Sequence, residues 1–183
     1  DGEFDAPLGI ATGAGDIFGT TGGVMEATLR TAAELLTDQP AERLEFSEVR
    51  AVEGMREAVV RLAGKDVRVG VANGIANARK LLDAAVSGDR TFHVIEVMAC
   101  PGGCIGGGGQ PYPPPGTKVL DPALLAKRAS ALYSIDSAKK LRRSHQNPAV
   151  QELYREFLGA PNEGRAHDLL HTTYSPKLPR GIR

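Results

Sequence analysis

Cys100 and Cys104 are the only thiols of the chain, and both lie in one run, EVMACPGGCIGGGGQ, at residues 96–110. At spacing i, i+4 the two thiolates share a face if the run is helical, and they reach one metal centre if it is a loop. Iron–sulfur clusters take thiolate ligands, as a rule four; zinc also accepts two cysteines with two histidines. Pro101, Gly102 and Gly103 place little bulk between the thiols. The glycines at 106–109 allow close backbone approach, and amides such as those of Gly107 and Gly108 can donate to sulfide or other anionic ligands. Spacing alone leaves two readings open, a metal site and a structural pair at a turn.

The histidines offer a rival set. His167 and His171 stand at i, i+4 in HDLLHTTY and would complete a Cys₂His₂ zinc site with the cysteines. More than 60 residues and a proline-rich break separate the two pairs, unlike compact zinc modules. His145 reads as a structural side chain beside a helix start, and His93 as a hydrogen-bonded core residue of a strand. The pairs Lys139–Lys140 and Arg142–Arg143 read as solvated helix surface, with a weaker reading as a receiving face for an acidic electron-donor protein. GTTGGV lacks the GKS or GKT ending of a phosphate-binding loop and is not read as a nucleotide site.

The elements that must position the cysteines follow from periodicity. Residues 1–20, rich in Gly and Thr, predict a loop; 24–36 predict a helix with Pro40 beyond its end. LEFSEVRAV (44–52) is a strand candidate. EAVVRL and DVRVGVA flank a turn placed at Gly64–Lys65 and predict a hairpin. Residues 73–88 predict a helix closed by Gly88, and FHVIEVMA (92–99) a buried strand running straight into Cys100. Sites in open α/β sheets gather at such carboxyl ends.

PYPPPGT (111–117) is a rigid break and the best internal boundary. Asp121 and Pro122 open a helix, further helical pieces are predicted near 136–143, 148–158 and 163–171, and no strand pattern follows residue 120. The expectation is an α/β fold, a sheet flanked by helices, over 1–117, followed by a helical region over 118–183.

Composition sets bounds on function. The 183 residues carry 22 Lys and Arg against 22 Asp and Glu, so no net field argues for nucleic acid or a membrane surface. No stretch reaches the roughly 20 apolar residues of a spanning helix. Two cysteines four apart form no disulfide framework and point to reducing conditions. The start, DGEFDAPLG, has no secretory pattern and no Met, and reads as the middle of a longer chain.

EVMACPGGCIGGGGQPY (96–112) closely resembles the C-terminal signature of the FeFe hydrogenases. GAGDIFGTTGGVMEATLRTA (13–32) resembles that family's glycine-rich loop and following helix, and RRSHQNPAVQELYREFLGAPNEGRAHDLLHTTY (142–174) its small-subunit region, which wraps the catalytic part. The matches occur in family order and cover nearly the whole chain. The resemblance implies one lobe of the catalytic domain with a helical wrap, and reversible interconversion of 2H⁺ and 2e⁻ with H₂. It implies an H-cluster, a 4Fe–4S cubane joined to a diiron unit carrying CO, cyanide and a dithiolate.

By position, Cys100 matches a cubane ligand and Cys104 the cysteine bridging cubane and diiron unit. Met98, Phe18 and Val24 match residues lining the diiron pocket, where plain core packing is the alternative. The family's other two cubane cysteines, in TSCCP-type and MPC-type motifs, are absent from this sequence, as are the proton-relay cysteine and the lysine that pairs with a cyanide. The resemblance therefore implies a partner, the N-terminal part of the catalytic unit, and an isolated chain without activity. It further implies ferredoxin or an NAD(P)H–flavin subunit as electron donor. Direct continuation into the small-subunit-like region implies a cytoplasmic enzyme. Close rivals are hydrogenase-like iron–sulfur assembly proteins, sensory hydrogenases and a structural zinc-binding chain.

Overall fold

A computed structural model describes residues 2, 9–52 and 54–176. These residues divide into two compact units, one spanning Ala11–Asn147 and the other including the chain from Pro148 onward. The larger unit is built on a three-stranded sheet in the order β1 (Met55–Leu62), β2 (Lys65–Asn73), β3 (Val94–Met98). β1 and β2 are antiparallel, whereas β2 and β3 run parallel, with Val69 opposite Val94 and Asn73 opposite Met98. The parallel pair needs a crossover, which α3 (Ile75–Val86) supplies.

Alternation along the strands divides the core between two faces. Val60, Leu62, Val69 and Val71 pack with Met25 and Leu29 of α2 (Gly23–Thr37), plus Phe46 and Val49. Ala72 packs with Ala78 and Leu81 of α3, and Phe92 and Ile95 join them. Burying a side chain of Leu or Met size contributes roughly 1.5–3 kcal/mol, so these faces fix the register firmly. β2 is covered on both faces from Val69 to Asn73. β3 is not: Val94 and Val97 are 38% and 42% exposed, and its one buried side chain is Glu96. The expected buried strand is an edge strand, because no fourth strand flanks it among the described residues.

Other expectations need correction. The segment 44–52 forms no strand; it makes a 3₁₀ turn over Ser47–Val49, because the buried pair Phe46 and Val49 is spaced by three rather than two. The hairpin turn is Ala63–Gly64, both at positive φ, as a two-residue type I′ connection requires, and Lys65 already pairs with Leu62. Within the expected N-terminal loop, Gly13–Asp16 form α1 with Thr12 as N-cap, and Ile17–Gly19 a 3₁₀ turn; residues 1 and 3–8 lie outside the described set. α4 runs over Pro122–Ala138, capped by Asp121, and absorbs the start of the piece predicted near 136–143. The rest of that piece is extended and turns back, so that the Leu141 carbonyl accepts the Gly13 amide at 2.8 Å.

An ionic knot joins α2, α4 and the 45–50 segment. Arg30, Glu26 and Asp136 have fully buried side chains; Arg30 pairs with Glu26 at 2.9 Å and with Asp136 at 2.8 Å. Arg50 reaches Glu26 at 2.7 Å and Arg142 reaches Asp136 at 2.6 Å. Burial pushes the Asp136 carboxyl up, but hydrogen bonds from Arg30 and Arg142 outweigh it and hold it below its ordinary value. Three of the four basic residues expected as solvated surface are engaged: Arg142 in the knot, Lys139 with Asp16 at 2.6 Å, and Arg143 with Glu34 at 2.8 Å.

The smaller unit contains α5 (Pro148–Leu153), continued by a π-helical turn over Tyr154–Leu158, and α6 (Gly164–Leu170). His167 and His171 stack with ring centroids 4.8 Å apart, so one face does present both. Among the described residues no helix is long and apolar enough to cross a membrane.

Candidate metal centre

The parallel ends of β2 and β3 build the site. Past the Asn73–Met98 pair, the Gly74 amide donates to the Met98 carbonyl at 2.8 Å, and the chain turns at Cys100. The Gly103 amide closes that turn on the Cys100 carbonyl at 3.0 Å. Pro101 occupies the second turn position and Gly102 the third, at φ +76°, the residue pattern of a type II turn. Cys104 then opens a 3₁₀ turn through Gly106. Both thiols are free and exposed. Neither sits on an α-helix: Cys100 opens the closed turn and Cys104 follows directly after it.

Two residues that sequence reasoning missed hold this turn. Asn73 is 5% exposed; its Oδ1 accepts the Gly102 amide at 3.1 Å, while Nδ2 donates to Thr21 Oγ1 at 2.8 Å and to the Cys100 carbonyl at 3.4 Å. Arg128 of α4 donates to the carbonyls of Ile105 and Pro111, both at 2.7 Å, and brackets the glycine run. An Asn ending a strand and an Arg on a helix carry no pattern that would have singled them out. The Gly107 amide is committed to the Cys104 carbonyl at 3.0 Å, whereas a Cβ on Gly108 would meet nothing within 4 Å. Gly108 is therefore the more open of the two predicted backbone contacts.

The three predicted lining residues come together. Phe18, Val24 and Met98 share an open cleft of about 410 Å³ with Met25, Thr28, Val94 and Glu96. By register, Val94, Glu96 and Met98 project toward the face covered by α2. A Cβ on Gly103 would lie 3.6 Å from Met98 Cε, so the Met side chain reaches from the cleft to the cysteine turn. Cys104 borders a second cleft of about 380 Å³ with Asp16, Gly19, Gln110 and Arg128. Glu96 accepts the amides of Gly22 at 2.7 Å and Met25 at 2.6 Å. Burial raises its pKa, and those two amides pull the other way.

His93 is exposed rather than in the core; its Nδ1 accepts the Arg68 amide at 3.0 Å. His145 bridges Thr31 at 3.1 Å and Glu34 at 2.6 Å, a structural contact. Among the described residues no three His, Cys, Asp or Glu side chains converge to hold a metal ion. The donor set offered is two soft, accessible thiols on a rigid turn. It suits an iron–sulfur cluster as two ligands of four, not as a complete set.

Residues 1–108 match the family described as the iron-only hydrogenase large subunit, C-terminal domain, and residues 122–177 match the iron hydrogenase small subunit. The NADP-reducing hydrogenase subunit HndD of Solidesulfovibrio fructosivorans is 53% identical across 95% of this chain, which spans 29% of that relative. Protein NAR1 of Arabidopsis thaliana is 32% identical across 96% of this chain, covering 37% of NAR1. A solved structure of a variant FeFe-hydrogenase HydA1 from Chlamydomonas reinhardtii superposes with a TM-score of 0.65 at 42% identity, over 95% of this chain and 49% of that one. The chain thus spans about a third of the length of these two curated relatives. The cysteine turn, the glycine-rich entry to α2 and the small-subunit match together make this chain a member of the FeFe (iron-only) hydrogenase family.

Proposed function

We propose that the chain forms the C-terminal part of an FeFe hydrogenase catalytic unit, an oxidoreductase interconverting 2H⁺ and 2e⁻ with H₂. The observation that carries this reading is the meeting of Phe18, Val24 and Met98 in one cleft whose Met extends to the Gly103 side of the Cys100–Cys104 run. When bound, the H-cluster supplies the electron storage and the hydrogen chemistry.

This chain's residues hold and shield that group. Cys100 and Cys104 would hold the 4Fe–4S cubane, and Cys104 would be the residue through which this chain also holds the diiron unit with its CO, cyanide and dithiolate ligands. Phe18 and Val24 would keep water from the diiron unit, and the soft Met98 thioether would pack against it. The open Gly108 backbone would leave its amide available to an anionic cluster ligand, and the Gly107 amide holds the Cys104 carbonyl in place. Asn73 fixes the Cys100 backbone, so the thiolate direction is set before metal arrives.

The other two cubane thiolates must come from the N-terminal part of the catalytic unit, since this sequence has none to spare. We assign residues 1–117 to the H-cluster lobe and 118–183 to the small-subunit-like region. A cytoplasmic enzyme fed by ferredoxin or an NAD(P)H–flavin subunit fits the fused organisation. A second reading, an iron–sulfur assembly protein of the same fold, has the NAR1 relationship behind it, but identity is 53% to the hydrogenase subunit against 32% to NAR1.

The test is infrared spectroscopy of the full-length gene product matured in a host with the hydrogenase maturation machinery. Carbonyl and cyanide bands together with H₂ turnover are expected. Iron–sulfur absorption without those bands supports the assembly reading, and zinc in place of iron overturns both. The 183-residue chain by itself is expected to evolve no H₂.

A further inference from the structure

α2 begins without a cap of its own. Its N-cap position is Gly22, at φ +87°, which offers no side chain to accept the first free amides. The acceptor comes instead from β3, more than 70 residues away: the two oxygens of Glu96 take the amides of Gly22 and Met25. Glu96 is 8% exposed, both bonds are buried, and both partners are backbone amides at the positive end of a helix.

The geometry around this contact gives it a consequence for the cleft. Val24 lies between the two bonded amides at the start of α2, and Met98 lies two residues beyond Glu96 on the same face of β3. Both line the cleft, Val24 from α2 and Met98 from β3, and Glu96 is part of the same lining. β3 is an edge strand with little other burial, so apolar packing alone does not fix its distance from α2.

We propose that Glu96 is the positioning residue of this cleft: by bridging β3 to the uncapped start of α2, it sets the separation of Val24 from Met98 and hence the shape of the pocket. The inference rests on the reading of that cleft as the diiron pocket, and it assigns Glu96 no contact with the reacting atoms. A cap from elsewhere would stabilise α2 equally and leave the pocket untouched; this one ties the β3 side of the cleft directly to its α2 side.

The test uses the full-length protein. Glu96→Gln keeps the length but turns an NH₂ group toward one of the two amide donors. Exchange at the Gly22 and Met25 amides in the unmatured protein should quicken by about tenfold or more. In the matured protein, the carbonyl and cyanide bands should shift and broaden at unchanged iron content. Val60→Ala, a core truncation on β1 away from the cleft, controls for lost stability and should leave the bands in place.

Faster exchange with unmoved bands would reduce Glu96 to a plain helix cap and overturn the proposal, as would unchanged exchange. Bands displaced equally by Val60→Ala would overturn it too. A wild-type protein that matures without any such bands sinks the hydrogenase reading and this one with it, a failure distinguishable from the others. If Glu96→Gln does not fold, Glu96→Asp takes its place, keeping the charge but withdrawing it by one methylene. The same exchange and infrared measurements then apply: faster exchange with shifted bands supports the positioning role, and either result without the other overturns it.

Discussion

The two flanks of helix α2 solve opposite problems. On one, Glu26 and Arg30 close an ionic knot with Asp136, Arg142 and Arg50, in which every charge is met within the chain. On the other, Phe18 and Val24 face an open cleft, and the nearby thiols of Cys100 and Cys104 are exposed and free. A buried ion pair is costly to form and costlier to break, so it serves better to specify an arrangement than to stabilise it. The knot specifies where α2, α4 and the 45–50 segment sit. The open flank is held by neutral or single-charge contacts, Asn73 and Glu96, which orient backbone without occupying the space beyond it.

Perturbations should separate the two flanks by size. The largest loss is expected from Arg30→Ala, which removes the buried cation shared by Glu26 and Asp136 and leaves them to Arg50 and Arg142; about 3–5 kcal/mol of stability should vanish in a urea titration of the chain. A loss under about 1 kcal/mol would show that the knot is not closed as described. Next, Gly13→Ala places a Cβ 2.1 Å from Asp136 Oδ1 and should cost roughly 1–3 kcal/mol, whereas Gly108→Ala, in open space, should leave the melting temperature nearly unchanged.

Asn73→Ala leaves the Gly102 amide and the Thr21 hydroxyl short of a buried partner, a loss of about 1–3 kcal/mol by the same titration. In the full-length protein it should also lower iron content, which Arg30→Ala variants that still fold should not. A comparably small effect on folding is expected of Cys104→Ala: within about 0.5 kcal/mol, because the thiol is exposed, yet with the diiron unit lost from the matured protein.

Acid should weaken the knot. Asp136 is held below its ordinary pKa, so its contribution is complete above the unfolded value near 3.9 and drains away as pH falls below it. Stability of the wild-type chain should drop as the medium is acidified past about pH 4, with a shallower drop in Asp136→Asn. Equal slopes in the two proteins would detach the acid response from the knot.

Part of the candidate site was legible in the sequence. The cysteine run and the strand before it rest on local patterns, whereas the lining trio came only with the family resemblance, which tied Phe18 and Val24 to Met98 across more than 70 residues of intervening sequence. The helices over 23–37 and 75–86 followed from apolar periodicity. The remainder depends on tertiary partners. Phe46 and Val49 look like strand alternation in the sequence, yet their three-residue spacing serves a turn. FHVIEV reads as buried because it is apolar, yet it is an edge, and only its glutamate is enclosed. Arg142 and Arg143 read as surface because a charge run alone does not reveal that Asp136, Glu45 and Glu34 await it. Asn73 and Arg128 act through backbone carbonyls and amides, which have no sequence signature at all.

That edge carries a hazard of its own. β3 has pairing groups along its outer side with no neighbouring strand among the described residues, and Val94 and Val97 beside them are partly bare. Such a margin is a template for another chain's strand, and β3 carries neither Lys nor Pro to discourage it. Produced alone, this polypeptide should therefore associate with itself as its concentration rises, strand against strand, and an added charge at Val97 should restore it to a monodisperse solution.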